Sequence, residues 1–490
     1  VLVALEGLPP ASAAATDSVH RINGRIRALV EERFDVVSAA RADVVVAGGL
    51  FDRPLSGAPR CIVPHGALGD PGHWMTSVRH LRRKDMLAVS STSDLRIVDN
   101  MAGPTGPAGD GGESSAGFCR AERLPLFVDT DVFAPLGDDR AALRREFSLP
   151  PTAPLLLVAA RPIAEKNLHG AVELCAAVRE RGPAAVLVVA GGLPDPATEY
   201  GGYIADLVGR RNVPVHDAGV VPPAGLNRLC NACDALVHLT LVRKENFGLV
   251  AVEAQAAGLP VLCGHWGGCQ DTVEAGVTGY YGPTFLTGGQ RRVDWRSLVE
   301  PCAALLQDEE RRRAMGEAGR ARVEALYSQA VFARRLVDLI AVAAEGAERG
   351  DEPVALSEWG QQTVVTYAMV ARDQPALTDS AQVSRQLYRE QYGTFAYRPI
   401  HRAMATLSAP PQPADGDFVY RNLDVDAERG VVDPIWRALV DLAPDERRVV
   451  DALATPRPFA SWARDAGGPD RARTLVERGV VARLGRAMGW

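Results

Sequence analysis

Apolar residues in the first 345 positions fall into short runs closed by Gly or Pro, separated by stretches with a helical repeat. Residues 42–49, 60–66 and 86–91 read as buried parallel strands. From 154 onward the alternation is regular. Residues 154–160 (PLLLVAA) predict a strand, and 168–181 a helix stopping before Gly182-Pro183. Residues 185–190 (AVLVVA) predict a strand ended by Gly191-Gly192. A helix at 226–234, a strand at 235–239, a helix at 248–257 closed by Gly258 and Pro260, and a strand at 260–263 follow. Residues 296–345 are helical and close this unit. Strand–helix alternation of this kind implies α/β architecture, with parallel sheets covered on both faces and ligands at the carboxyl ends of the strands. Residues 102–117 (AGPTGPAGDGGESSAG) are expected to form a flexible loop.

Three regions follow from this pattern: a first α/β domain at 1–135, a second at 136–345, and a mainly helical extension at 350–490. The extension lacks Lys and Cys, and 449–484 suggests a small winged-helix-like unit.

Composition narrows the function. With 47% apolar residues, the 490-residue chain builds large cores and is not disordered. A net charge of −6 excludes a general polyanion binder, and nucleic acid is not an expected partner. No apolar run reaches the roughly 18 residues of a membrane span. The eight cysteines are scattered and no basic-then-apolar leader opens the chain, so a reduced, cytoplasmic setting is expected, with peripheral membrane association left open. Lys occurs only at 84, 166 and 244, as in a GC-rich bacterial genome, which singles out the places where Lys persists.

Two stretches carry candidate chemistry. In 244–253 (KENFGLVAVE), Glu245 precedes a helix and Glu253 lies about two turns into it. Gly248 allows close approach of a ligand, and the free amides from Phe247 through Gly248 and Leu249 to Val250 form an anion site. In 161–166 (RPIAEK), Arg161 and Lys166 follow a strand and would neutralise a diphosphate. The bland alternatives are surface acids, solvated loop cations and a core histidine. Cys230 and Cys233 read as small core residues, Asp129 and Asp131 as solvated, and His238 as structural.

These stretches resemble, in order, the retaining glycosyltransferases of family 4. His65 ends a strand as in that family's "vvtvHG". Residues 127–133 match its "GVDtdrF" linker, Arg161 and Lys166 its "GRlvpeKg", and Gly191-Gly192-Leu193-Pro194 its "GdGp". Residues 245–261, Gly267-Gly268 and 276–279 match its longest signature. The resemblance implies a GT-B fold, two Rossmann-like domains with parallel sheets facing a central cleft. It also implies a hexosyltransferase-like enzyme that moves a sugar from a nucleotide-diphosphate-sugar donor to an acceptor hydroxyl with retention. Glu245 would contact the donor sugar, His65 would sit beside it, Arg161 and Lys166 would bind the diphosphate, and Glu253 the ribose. Gly191 joins the 247–250 segment on the nucleotide side. Neither metal nor cofactor is expected. The acceptor stays open among carbohydrate, lipid-linked glycan, natural product and peptide. The family opens with a strand followed by a Gly-Gly loop; no such loop is visible in VLVALEGLPPASAAATDS, and the first domain is short. That departure motivates a second reading, a catalytically impaired scaffold protein recruiting a protein partner through 350–490.

Overall fold

The computed structural model describes residues 1–10, 18–49, 57–64, 78–102, 118–137, 139–242, 245–287 and 290–357. Beyond these it describes 361, 413, 415, 418–421, 431–432, 439–440, 443–453, 457–477 and 481–485. The expected loop at 102–117 falls almost wholly outside the described residues.

Two six-stranded parallel sheets organise the chain. The first contains β1 (Leu2–Glu6), β2 (Asp35–Val36), β3 (Val44–Ala47), β4 (Arg60–Ile62), β5 (Met86–Val89) and β6 (Arg120–Arg123), in the order β2-β1-β3-β4-β5-β6. Its helices include α1 (Ser18–Glu31) and α2 (Thr92–Ala102). The opening residues, read as a missing front end, are a strand inside this sheet. Leu2 pairs with Asp35 on one side, and Val3 pairs with Val44 on the other.

The linker and α3 (Arg140–Glu146) lead into the second sheet. It contains β7 (Leu155–Ala159), β8 (Val186–Ala190), β9 (Val215–Gly219), β10 (Ala235–His238), β11 (Val261–Gly264) and β12 (Gly279–Gly282), in the order β12-β11-β10-β7-β8-β9. The helices are α4 (Leu168–Glu180), α5 (Glu199–Arg211), α6 (Pro223–Ala232), α7 (Leu249–Ala256), α8 (Cys269–Thr272), α9 (Val299–Gln307), α10 (Glu309–Leu326) and α11 (Gln329–Ala344). Every residue of β7, β8, β10 and β11 is buried, which explains their unbroken apolar runs: helices cover both faces. Strand order reverses between β7 and β10, and a crevice opens at their carboxyl ends.

One helix departs from its neighbours. Phe332, Leu336 and Ile340 of α11 pack in one core with Val3, Ile26 and Val44, so the end of the second unit lies on the first sheet. In the tail, helices Pro444–Asp451, Phe459–Asp465 and Pro469–Glu477 surround an antiparallel sheet of Arg457–Pro458, Phe418–Arg421 and Val481–Gly485. Trp462, Phe459, Leu475 and Val419 form its core. No described helix is long and apolar enough to cross a membrane.

Candidate functional site

The crevice is assembled by the turns that follow β7 and β10. Asn167 adopts a left-handed conformation, φ 59°, and caps α4 by accepting from the Gly170 amide at 3.1 Å. Its amide nitrogen donates to the Leu239 carbonyl at 2.9 Å, and the Leu241 amide donates to the Glu165 carbonyl at 2.8 Å. These bonds stitch one turn to the other. Lys166 Nζ consequently donates to Glu245 Oε2 at 2.8 Å, with both side chains largely buried. Burial pushes the Glu245 carboxyl up, but Lys166, His238 and the Thr240 hydroxyl outweigh it and bring it down to about 2. The group is therefore a carboxylate at neutral pH.

His238, expected to be structural, stands beside Glu245. Its Nε2 lies 3.7 Å from Glu245 Oε2 and has no hydrogen-bond partner among the described residues. The available signal was position, since His238 is the last residue of the strand beside the switch point. Thr240 was missed for the same reason. Arg161 follows β7 with an exposed side chain and has no charged partner among the described residues. Lys166 alone of the two cations sits against Glu245.

The helix entrance forms as the glycine pattern suggested. Gly248 is the N-cap of α7 at φ 77°, and a Cβ there would meet Cys269 Sγ at 2.9 Å, so both backbone and space demand glycine. The first amides of α7, including Leu249 and Val250, lack intrahelical acceptors and form a positive terminus. Phe247 serves another purpose. Its ring is buried and meets Tyr327 edge-on at 5.5 Å, so the side chain anchors the loop in the core. The Glu245 carbonyl accepts from the Gly268 amide at 3.0 Å, and Trp266 Nε1 donates to the Val242 carbonyl at 3.1 Å. The turn after β11 thus underpins the one after β10.

Glu253 projects from α7 into a different space. It lines a cavity of about 370 Å³ together with Arg21, Arg25, Phe127, Pro223 and Leu249. Burial raises its carboxyl to about 7 against the pull of Arg21, whose Nη2 is 3.9 Å away. Both domains line this cavity, because Arg21 and Arg25 belong to α1.

Several other positions are now placed. His65 and Lys244 lie outside the described residues. Gly191, at φ 110°, lets the Ala160 carbonyl approach to within 2.1 Å of where a Cβ would stand, and its amide donates to the Gly219 carbonyl. It is a packing glycine at the end of β8. Cys230 and Cys233 are buried free thiols, and burial pushes Cys233 up to about 12, as fits core residues. Asp129 is exposed and accepts from the amides of Asp131 and Val132.

Residues 139–322 match the family model "Glycosyl transferases group 1". A GDP-mannose-dependent alpha-(1-6)-phosphatidylinositol monomannoside mannosyltransferase of Mycobacterium tuberculosis is 31% identical over 238 residues, covering 45% of this chain and 55% of that protein. A D-inositol 3-phosphate glycosyltransferase of Nocardiopsis dassonvillei is 37% identical over 162 residues, covering 32% of this chain and 37% of its own. The chain thus spans about half the length, or less, of these curated relatives. Among solved structures, Anabaena HepE in complex with UDP and glucose shares the fold at 14% identity and a TM-score of 0.50, covering 70% of this chain and 99% of that one. Residues 139–322, which build the second sheet and bring Lys166 to Glu245, are the part of the chain that is similar to the glycosyl transferases group 1 family.

Proposed function

We propose that the chain transfers a sugar, with retention, from a nucleotide-diphosphate sugar to an acceptor hydroxyl. The observation that carries this reading is the largely buried Lys166–Glu245 pair at the switch point of the second sheet, beside the open amides of α7. In the reaction, the bond from the anomeric carbon to the diphosphate oxygen breaks and its electron pair leaves with the diphosphate. Lys166, Arg161 and the first amides of α7 stabilise that developing charge. Glu245, held ionised, accepts hydrogen bonds from sugar hydroxyls. The acceptor oxygen attacks the face being vacated, and its proton passes to the leaving phosphate oxygen. The cavity bordered by Leu249 and Glu253 suits the ribose, with Glu253 accepting from its hydroxyls.

In this reading no metal is needed, because protein cations and helix amides supply the positive charge. Its eight buried free thiols suit a cytoplasmic setting. The relatives' names suggest GDP-mannose as the first donor probe. We expect turnover of GDP-mannose, or of another donor from a panel, that is unaffected by EDTA. Glu245→Ala should lower kcat by about a hundredfold, in line with loss of one preorganised polar group. Full activity in that variant, or no binding, hydrolysis or transfer of any donor by the native chain, would discard the reading.

A further inference from the structure

A second set of polar contacts joins the two domains beside Glu245, and it begins at an incompletely capped helix. α2 starts with Ser91-Thr92-Ser93-Asp94. Ser91 Oγ accepts from the Asp94 amide at 3.2 Å, which is the ordinary local cap. The Thr92 amide, one of the donors that a helix start leaves without an intrahelical acceptor, is satisfied from the other domain. It donates to Asp271 Oδ2 at 2.7 Å, and Thr92 Oγ1 donates to Asp271 Oδ1 at 2.8 Å. The two residues are 179 positions apart.

Neighbouring residues repeat the link. Ser93 Oγ donates to the Gly267 carbonyl at 3.2 Å, and Asn246 Nδ2 donates to Ser90 Oγ at 2.8 Å. Asn246 is the residue after Glu245, and the Glu245 carbonyl is itself bonded to Gly268. Asp271 is held in place from behind, since its carbonyl accepts from Arg322 Nη2 and from the Tyr327 hydroxyl, both at 2.8 Å. On the first-domain side, Arg123 Nη1 donates to Thr92 Oγ1 at 3.0 Å and lies 3.5 Å from Asp271 Oδ1. Small hydroxyls, the Asn246 amide, the Arg123 guanidinium and one carboxylate make up the joint. Such bonds exchange for water at little net cost, so the contact can form and release.

We propose that Asp271 is a positioning residue, which caps α2 across the domain boundary and so couples closure of the first domain to the placement of the Glu245 loop. This rests on the donor-transfer reading for its effect on rate, but not for the contact itself. Closure excludes water and completes the site, so weakening the clasp lowers turnover more than donor affinity.

The test uses the full chain in three forms: native, Asp271→Ala, and Asp271→Asn, which keeps one acceptor oxygen. Hydrogen exchange is followed at the amides of residues 92–95, and steady-state turnover is measured with GDP-mannose or whichever panel donor the native chain accepts. In Asp271→Ala, the 92–95 amides should exchange at least about tenfold faster while those of 249–256 keep their rate, as loss of the carboxylate's two bonds to Thr92 implies. In the same variant kcat should fall about tenfold with KM within about threefold, and Asp271→Asn should recover most of both. Unchanged exchange in Asp271→Ala overturns the clasp. Faster exchange with unchanged kcat overturns the positioning role. A native chain that turns over no donor removes the reading of the Lys166–Glu245 site, and the exchange measurement still decides the clasp.

Discussion

The buried carboxyls of this chain divide by their surroundings. Glu245 has a lysine and a histidine beside it and is brought down to about 2. Asp94 has only neutral donors, Ser90 and Ser91, and the like charge of Asp271 nearby. Burial raises it to about 7, against the opposing pull of the two serines. The consequences for stability are opposite. Glu245 contributes stability above the ordinary carboxylate range that is lost as pH falls toward 2. Asp94 holds its proton in the folded chain between about 4 and 7, where the unfolded chain has released it. The folded state then binds more protons, so its stability falls as pH rises through that window. Asp94→Asn removes this slope. Urea unfolding at pH 4.5 and pH 8 should show the native chain losing roughly 3 kcal/mol more than the variant across that interval. Glu253, also raised to about 7, titrates in both proteins and cancels in the difference. Equal slopes for the two chains would show that Asp94 ionises normally.

Among the elements, α7 depends most on a single position. It begins at Gly248 with φ 77°, directly over Cys269 Sγ. An alanine there incurs about 1–2 kcal/mol for the left-handed backbone, and its methyl also displaces the sulfur. Gly248→Ala should therefore lower the unfolding free energy measured in urea by that amount and raise the donor KM several-fold, because the first amides of α7 shift with their cap. A variant with native stability and native KM would mean that the helix entrance is not held by this residue. The turn before α4 shows the same economy of means. Asn167 both caps that helix and reaches the Leu239 carbonyl, so one side chain starts an element and sets the distance between Lys166 and Glu245.

At the scale of the whole molecule, α11 is the strap. It follows the second domain in sequence, yet Leu336, which is 1% exposed, packs with Val3 and Val44 of the first sheet. Leu336→Ala should cost about 2–5 kcal/mol, the range for a buried leucine. The loss should register in the first domain, as faster hydrogen exchange at 44–47, while 155–159 keeps its protection. Faster exchange in the second sheet alone would contradict this packing.

How much of this was legible depends on the range of the interactions involved. The strands of the second sheet were readable because burial on both faces leaves unbroken apolar runs such as LLLVA and VLVVA. The 245–253 pattern was readable because Gly248 and the two glutamates act within one short loop and helix. β1 was missed, since five residues beside Gly-Leu-Pro-Pro carry no repeat that separates a central strand from a frayed start. His238 and Thr240 looked like any strand end, and nothing local in Thr92 or Asp271 names the other as its partner.

Local chemistry, then, was decided by the chain alone: which segments become strands, where helices begin, and which charges stand at the ends of which elements. Only the folded topology decided which of those ends meet. Backbone preference and burial act over a few neighbouring residues. The pairing of Lys166 with Glu245, of Asp271 with Thr92, and of α11 with the first sheet depends on strand order and crossover, which bring distant residues within hydrogen-bond or van der Waals reach.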